Sequence, residues 1–402
     1  MRFSPLKLGA GLSRLSWSFI EFFTLAAVFF LPFSKSIAEA AIGAAIGLWI
    51  LRKFPWDEPW PRIPRIFLVC YGFFLAVTAI SVLQAAPHEL ATALRGLGKW
   101  LKFLAIFSLA FDYFEDGKRT SKLTAVFLLS LTLTVADGFW QMLAGQDLVK
   151  GYFAAPGRFV RMGGPMPSPN DLAAFLLLGL PVLFFLWKEK KTWSPSSAGL
   201  AALFVVLGVA FVSTLSRGAF LALFAASAFY LLCTQKKKTL WLLLLLPAVL
   251  FVSPILRYNF FGSLAAKDIT IGERLDMWQV AFRMIRLHPL LGNGVNLFGE
   301  KYASFSRVPT IYKGYAHNCY LQMAAEIGIL GLIAFVVPFF VFLPKAILED
   351  DGRSAFKSGL LVGIPAYLLQ SGLDTNFYAL QAAIIFWVLW GMTAVLAKAP
   401  DA

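Results

Sequence analysis

The chain has 402 residues, 59% of them hydrophobic and only 14% charged. Soluble domains carry about a quarter of charged residues, so this composition excludes an ordinary water-soluble enzyme. The net charge of +14 would point to nucleic acid in a soluble protein, but in a lipid-embedded one cytoplasmic anchoring accounts for much of the excess, and no nucleic-acid role is expected.

The apolar runs are long and continuous, unlike the short alternating strands of a membrane barrel. The first, at 17–33, ends without a small-x-small cleavage site and is soon followed by another at 37–51, so it reads as a span and not a signal peptide. Further spans are predicted at 66–84, 94–114, 123–143, 171–187, 197–214, 219–234, 239–253, 322–343, 359–373 and 380–397. The expectation is an all-α polytopic membrane protein of about 12 transmembrane helices, a single membrane-embedded domain over 1–402.

Charge in the links fixes its orientation. Arg2, Lys7 and Arg14 precede the first span, and every second link then carries a basic cluster. These clusters are Arg52, Lys53, Arg62 and Arg65; Lys118, Arg119 and Lys122; Lys188, Lys190 and Lys191; Lys236 to Lys238; Lys345, Arg353 and Lys357; and Lys398. Positive residues mark the cytoplasmic side, which places both termini there.

Two longer segments fall on the opposite, periplasmic side, at 145–170 and 252–316, the second a large loop between spans nine and ten. Both are basic where basic residues are normally scarce. Arg158, Arg161, Arg257, Lys267, Arg274, Arg283, Arg286, Lys301, Arg307 and Lys313 all lie there. A positive cavity at the outer surface suits an anionic, lipid-borne ligand such as a pyrophosphate.

Within "PGRFVRMGGPMPSPNDLAAF", Pro and Gly predict an ordered turn, with Asn170 and Asp171 capping the next span. Arg217 sits in "STLSRGAF", a link so short that its guanidinium either snorkels outward or faces an anionic cavity, with Ser213, Thr214 and Ser216 as neighbouring donors. In the large loop, Thr270 and Glu273 form a capping box, and Trp278, Ala281, Phe282 and Ile285 continue a helix that Pro289 and Gly292 end. Arg274 lies one turn before Trp278 on the same stripe; an acidic partner or a bound phosphate would satisfy it.

His317 opens "AHNCYLQMAAEIGILGLIAF" at the junction with the tenth span. Histidine suits proton transfer near neutral pH, and the alternative is an interfacial residue that caps the helix or bonds Asn318. His88 and His288 are weaker candidates. Arg95, Lys99 and Lys102 share one face of the fourth span, and Asp137, Gln141 and Glu326 are expected to pair with arginines. Cys70, Cys233 and Cys319 read as small core residues, and no metal-ligand spacing or phosphate loop occurs.

These segments resemble the O-antigen ligase and O-antigen polymerase superfamily of bacterial envelope glycosyltransferases, most closely the lipopolysaccharide O-antigen ligases. The resemblance rests on "GRFVRMGGPMPSPNDLA", "STLSRGAF", "RLDMWQVAFRMIRLHPLLGNGVNLFG" and "AHNCYLQMAAEIGILGLIAF" and spans most of the chain. It places Arg161, Gly164 and Asn170 on the family's Arg-to-Asn turn, and it carries over Arg217, Arg274 and His317. Many relatives have Gly-Thr-Phe where this chain has Gly-Gly-Pro.

The resemblance implies transfer of an undecaprenyl-pyrophosphate-linked glycan to the lipid A–core oligosaccharide, in the bacterial inner membrane with the active site facing the periplasm. Arg161, Arg217 and Arg274 would bind the pyrophosphate and His317 would act as general base, with no metal, no cofactor and no obligate protein partner. A polymerase joining lipid-linked repeats and a transporter of lipid-linked sugar are the alternatives.

Overall fold

The computed structural model describes residues 10–53, 59–114, 120–155, 160–190, 192, 194–234, 269–307 and 314–396. Among them lie thirteen α-helices, one short 3-10 turn and no strand beyond two isolated bridges. In chain order the helices are α1 (Ala10–Phe30), α2 (Lys35–Lys53), α3 (Arg65–Ser81), α4 (Leu90–Phe114), α5 (Thr120–Ala144), α6 (Pro169–Glu189) and α7 (Pro195–Ser213). They continue with α8 (Arg217–Cys233), α9 (Ile269–Leu287), α10 (Phe298–Phe305), α11 (Cys319–Leu348), α12 (Ala355–Ser371) and α13 (Leu380–Leu396). Eleven of the twelve expected apolar stretches coincide with helices. The ninth, at 239–253, lies outside the described residues, as do Arg158, Arg257, Lys267, Lys313 and part of the basic clusters.

Local chemistry sets several starts. Two Ser-Pro pairs open helices: Ser168 and Ser194 accept from the N–H of Asp171 and Ser197, and Pro169 and Pro195 occupy the first turn, where no N–H is needed. Ser168, and not Asn170 or Asp171, is therefore the cap of α6. Thr270, expected as the cap, lies instead inside the first turn, since α9 runs from Ile269.

Among the described residues five helices are long and apolar enough to cross a membrane, at Arg65–Gln84, Thr120–Ala144, Pro169–Glu189, Pro195–Ser213 and Cys319–Leu348. Their outward faces are apolar: Phe340 is 76% exposed and Val69 68%. Such surfaces need a hydrocarbon solvent, and the chain is an all-α membrane protein.

Inside lipid the helices gain little from expelling water, so close packing must hold them together. Helix α12 lies against α6 and α8, and α13 against α4. At Gly359 a methyl would sit 2.4 Å from the Cα of Val182, so only glycine permits that approach. Trp387 and Trp390 of α13 are fully buried among Phe67, Tyr71, Phe107, Phe335 and Phe339, and the Trp390 indole donates to Tyr71 at 2.8 Å.

Helix α11 breaks at Gly328 (φ 85°), and the turn after α9 docks into the break. Asn293 and Gly294 donate their N–H groups to the carbonyls of Ala325 and Glu326 at 2.9 Å each, and Ile329 donates to Pro289 at 2.8 Å. The turn thus supplies partners that the broken helix lacks. Gly292 has φ 71°, and a methyl there would lie 2.3 Å from the Glu326 carbonyl. Gly292→Ala is expected to destabilise the protein by about 1–3 kcal/mol from backbone strain alone. Denaturant unfolding in detergent measures this, and an unchanged midpoint would show that the turn does not support α11.

Candidate functional site

The 145–168 segment is organised by side chains that answer its backbone. Gln141, near the end of α5, accepts from the N–H groups of Gly163 and Gly164 at 2.9 Å each and donates to the Tyr152 carbonyl at 3.1 Å. Asp147 accepts from the N–H groups of Val149, Lys150 and Tyr152, and Asp137 from Leu148. Glu326 likewise accepts from the N–H groups of Asn296 and Phe298. Where arginine partners were expected, Asp137, Gln141 and Glu326 thus accept from backbone N–H groups among the described residues, which irregular backbone away from water needs.

The segment presents Arg161, whose Nε donates to the Thr214 carbonyl and whose Nη2 donates to Asn170 Oδ1, both at 2.8 Å. Thr214 lies in the tight link from α7 to α8, and the Met162 N–H donates to the Ser213 carbonyl at 3.0 Å. Arg217, the first residue of α8, is thereby held beside Arg161. Two of the three hydroxyls expected to serve as donors here turn back instead, Ser213 to the Val209 carbonyl and Thr214 to that of Phe211.

Helix α9 packs on α11 through Met277, Val280, Ala281 and Met284, while Phe282, expected on that stripe, is half exposed. Its Arg274 is partly buried: Nη1 donates to the Leu373 carbonyl at 3.0 Å, and Nη2 lies 3.8 Å from Asp374 Oδ2. Trp278 donates from its indole to the Ala316 carbonyl at 3.0 Å, which pins the residue before His317.

Asn318 caps α11 by accepting from the N–H groups of Tyr320 and Leu321. His317, at φ 48°, turns off the helix axis, so it neither caps α11 nor shares a face with Tyr320. Its Nδ1 lies 3.2 Å from Asp374 Oδ1. Asp374 is buried in the link from α12 to α13 and also accepts from Asn170 Nδ2 and from the Thr375 N–H. Burial pushes its carboxyl up, but the His317 hydrogen bond and the Arg274 charge outweigh that and hold it below the usual range. Asp374 is ionised near neutral pH. When Nδ1 carries the proton toward it, Nε2 is left with a free lone pair.

Arg161 completes the electrostatics. Burial lowers its pKa, Asp374 opposes that, and the neighbouring charges of Arg274 and Arg217 lower it further. Arg161 therefore lies within electrostatic reach of two other guanidinium groups from distant segments, and it and Arg274 both act on Asp374 of the His317–Asp374 pair. His88 is exposed, and His288 contributes its carbonyl to the Gly292 turn.

Sequence reasoning missed Asp374 and misassigned Asn170. The available signal was slight: Asp374 is the lone acidic residue in "GLDTNFYA", between the last two apolar runs. Among the described residues no group of three or more His, Cys, Asp or Glu is placed to hold a metal ion.

Fold and site together define a helical membrane protein with a basic polar centre where several helices end. Residues 201–336 match the family model described as O-antigen ligase, which shows the superfamily resemblance over that stretch. The match includes Arg217, Arg274 and His317; Arg161, Asn170 and Asp374 lie beyond it. Comparison with curated proteins finds no match.

Proposed function

We propose that the chain is a membrane glycosyltransferase that moves an undecaprenyl-pyrophosphate-linked glycan onto the lipid A–core oligosaccharide. The convergence of Arg161 and Arg274 on the His317–Asp374 pair, with Arg217 in electrostatic reach of Arg161, carries this reading. The protein crosses the bacterial inner membrane about 12 times as one domain, with both termini cytoplasmic and the 252–316 loop periplasmic. The polyprenyl tail lies between helices in the bilayer while the pyrophosphate enters the basic centre.

In the reaction, an acceptor sugar hydroxyl attacks the anomeric carbon of the donor. Its proton passes to His317 Nε2, and Asp374 stabilises the imidazolium that forms. The carbon–oxygen bond to the pyrophosphate breaks, and the three arginines receive the charge that accumulates on the leaving group. One displacement inverts the anomeric centre, since no carboxylate is proposed as nucleophile. The chemistry draws its driving force from the diphosphate and uses neither nucleotide nor metal.

Arg274→Ala is expected to slow transfer roughly a hundredfold or more, about 3 kcal/mol in the transition state, as for the loss of one fixed donor to developing charge. Single-turnover kinetics at saturating donor would detect it; a rate within threefold of wild type would remove Arg274 from the leaving-group site.

The function itself is tested with purified protein, lipid-linked donor and two competing acceptors, lipid A–core and a second lipid-linked repeat, resolved by mass. A glycosylated core supports the ligase. Extension of the lipid-linked repeat would make the protein a polymerase, and movement of donor across vesicles without any new glycosidic bond would make it a transporter.

A further inference from the structure

The basic face of α4 divides among three fates. Lys102 pairs with Glu39 of α2 at 2.7 Å, and Arg95 donates to Thr92 Oγ1 at 2.8 Å. Lys99 does neither. Its ammonium makes no hydrogen bond and no ion pair with any described residue; it sits 4.3 Å from the centre of the Tyr378 ring and 5.8 Å from that of Trp100. The rings hold the cation in place but meet none of its three N–H donors. Glu326 attracts it through space, yet that carboxylate is already occupied by Gln322, Tyr378 and two backbone N–H groups. A partly buried ammonium without an acceptor is a place for an anion.

Its position gives that anion a role. Tyr378 meets Tyr315 with ring centres 5.6 Å apart, and Tyr315 is 40% exposed, two residues before His317. Cys319 has both Lys99 and Asp374 as electrostatic neighbours, and its thiol donates to the Asp374 carbonyl at 3.1 Å. Lys99 thus lies on the α4 side of Cys319, whose other electrostatic neighbour is Asp374, whereas the three arginines come from the 145–168 segment, α8 and α9. A general base must stand between nucleophile and electrophile. If the guanidinium side takes a diphosphate, the other approach to the base belongs to the acceptor.

We propose that Lys99, linked through Tyr378 to the exposed ring of Tyr315, binds the acceptor through an anionic sugar whose charge is a phosphate or a carboxylate. One ammonium suits a single anionic substituent, and an aromatic face suits the apolar side of a sugar ring. The word acceptor rests on the transferase reading above; the anion site does not.

The test uses the full-length protein in detergent with lipid-linked donor and lipid A–core in three forms: native, enzymatically dephosphorylated and carboxyl-reduced. Lys99→Gln should raise the acceptor KM roughly ten- to a hundredfold, the effect of one charge-assisted hydrogen bond, with the donor KM unchanged. Lys99→Arg should keep most of the affinity. One neutralised acceptor should bring wild type to the level of Lys99→Gln and abolish their difference, which identifies the group recognised. An unchanged acceptor KM in Lys99→Gln, or a rise in donor KM instead, overturns the proposal. Equilibrium binding of the same three glycolipids without donor separates the two readings. Lys99-dependent binding without transfer by wild type sinks the transferase and spares the anion site; transfer with Lys99-independent binding does the reverse.

Discussion

Replacing His317 with alanine is expected to slow glycan transfer by about 10²–10⁴-fold, the usual worth of a positioned general base. The acceptor and donor KM values should change little, because the histidine engages the hydroxyl proton most strongly as the bond forms. His317 lies 3.2 Å from an ionised, buried carboxylate that no other histidine approaches among the described residues. Purified His317→Ala with full activity, on defined donor and core acceptor, would end the base assignment.

The second large effect is expected at Asp374. Its carboxylate orients His317 and also receives Asn170 and the Thr375 N–H, while Arg274 lies nearby. Asp374→Asn keeps the shape and removes the charge, so an imidazolium forming at His317 loses its counter-ion and the ring its preferred tautomer. A loss on the order of 10²–10⁴ in kcat follows, with substrate affinity changed less. A kcat within a few-fold of wild type would reduce Asp374 to a structural role.

Asp374 also makes stability depend on pH. Its folded pKa lies below its ordinary value, so the stabilisation is complete above about pH 4 and is lost as pH falls through the lower folded value. Wild type and Asp374→Asn should therefore differ in thermal midpoint near pH 7 and converge as the solution is acidified below the ordinary carboxylate range. A gap that stays constant over that range would show that the carboxylate contributes no net charge interaction.

Much of the architecture could be read from residue order because lipid leaves the chain few choices. Backbone N–H and C=O groups without water must bond within their own segment, so a long apolar run in a polytopic chain becomes a helix wherever it lies. Eleven runs did so within a few residues of expectation, and the Ser-Pro pairs at 168–169 and 194–195 mark two of the starts. The arginines stood out for a related reason: basic residues on the wrong side of a positive-inside pattern need an explanation. His317 stood out through its chemistry at a helix junction.

Pairings were a different matter. Asn170 read as a helix cap, yet it spans the gap between Arg161 and Asp374, 204 positions away from the latter. Asp137, Gln141 and Glu326 read as partners for arginine and instead hold loop backbone. Lys99 looked like its neighbours on α4 and alone among them lacks an acceptor. Composition, helices and the placing of basic residues in the links belong to the sequence, since each follows from local hydrogen bonding and the cost of placing charge in hydrocarbon. Which carboxylate meets which cation belongs to the tertiary structure, because Coulomb attraction acts through space, and only folding brings distant segments within reach.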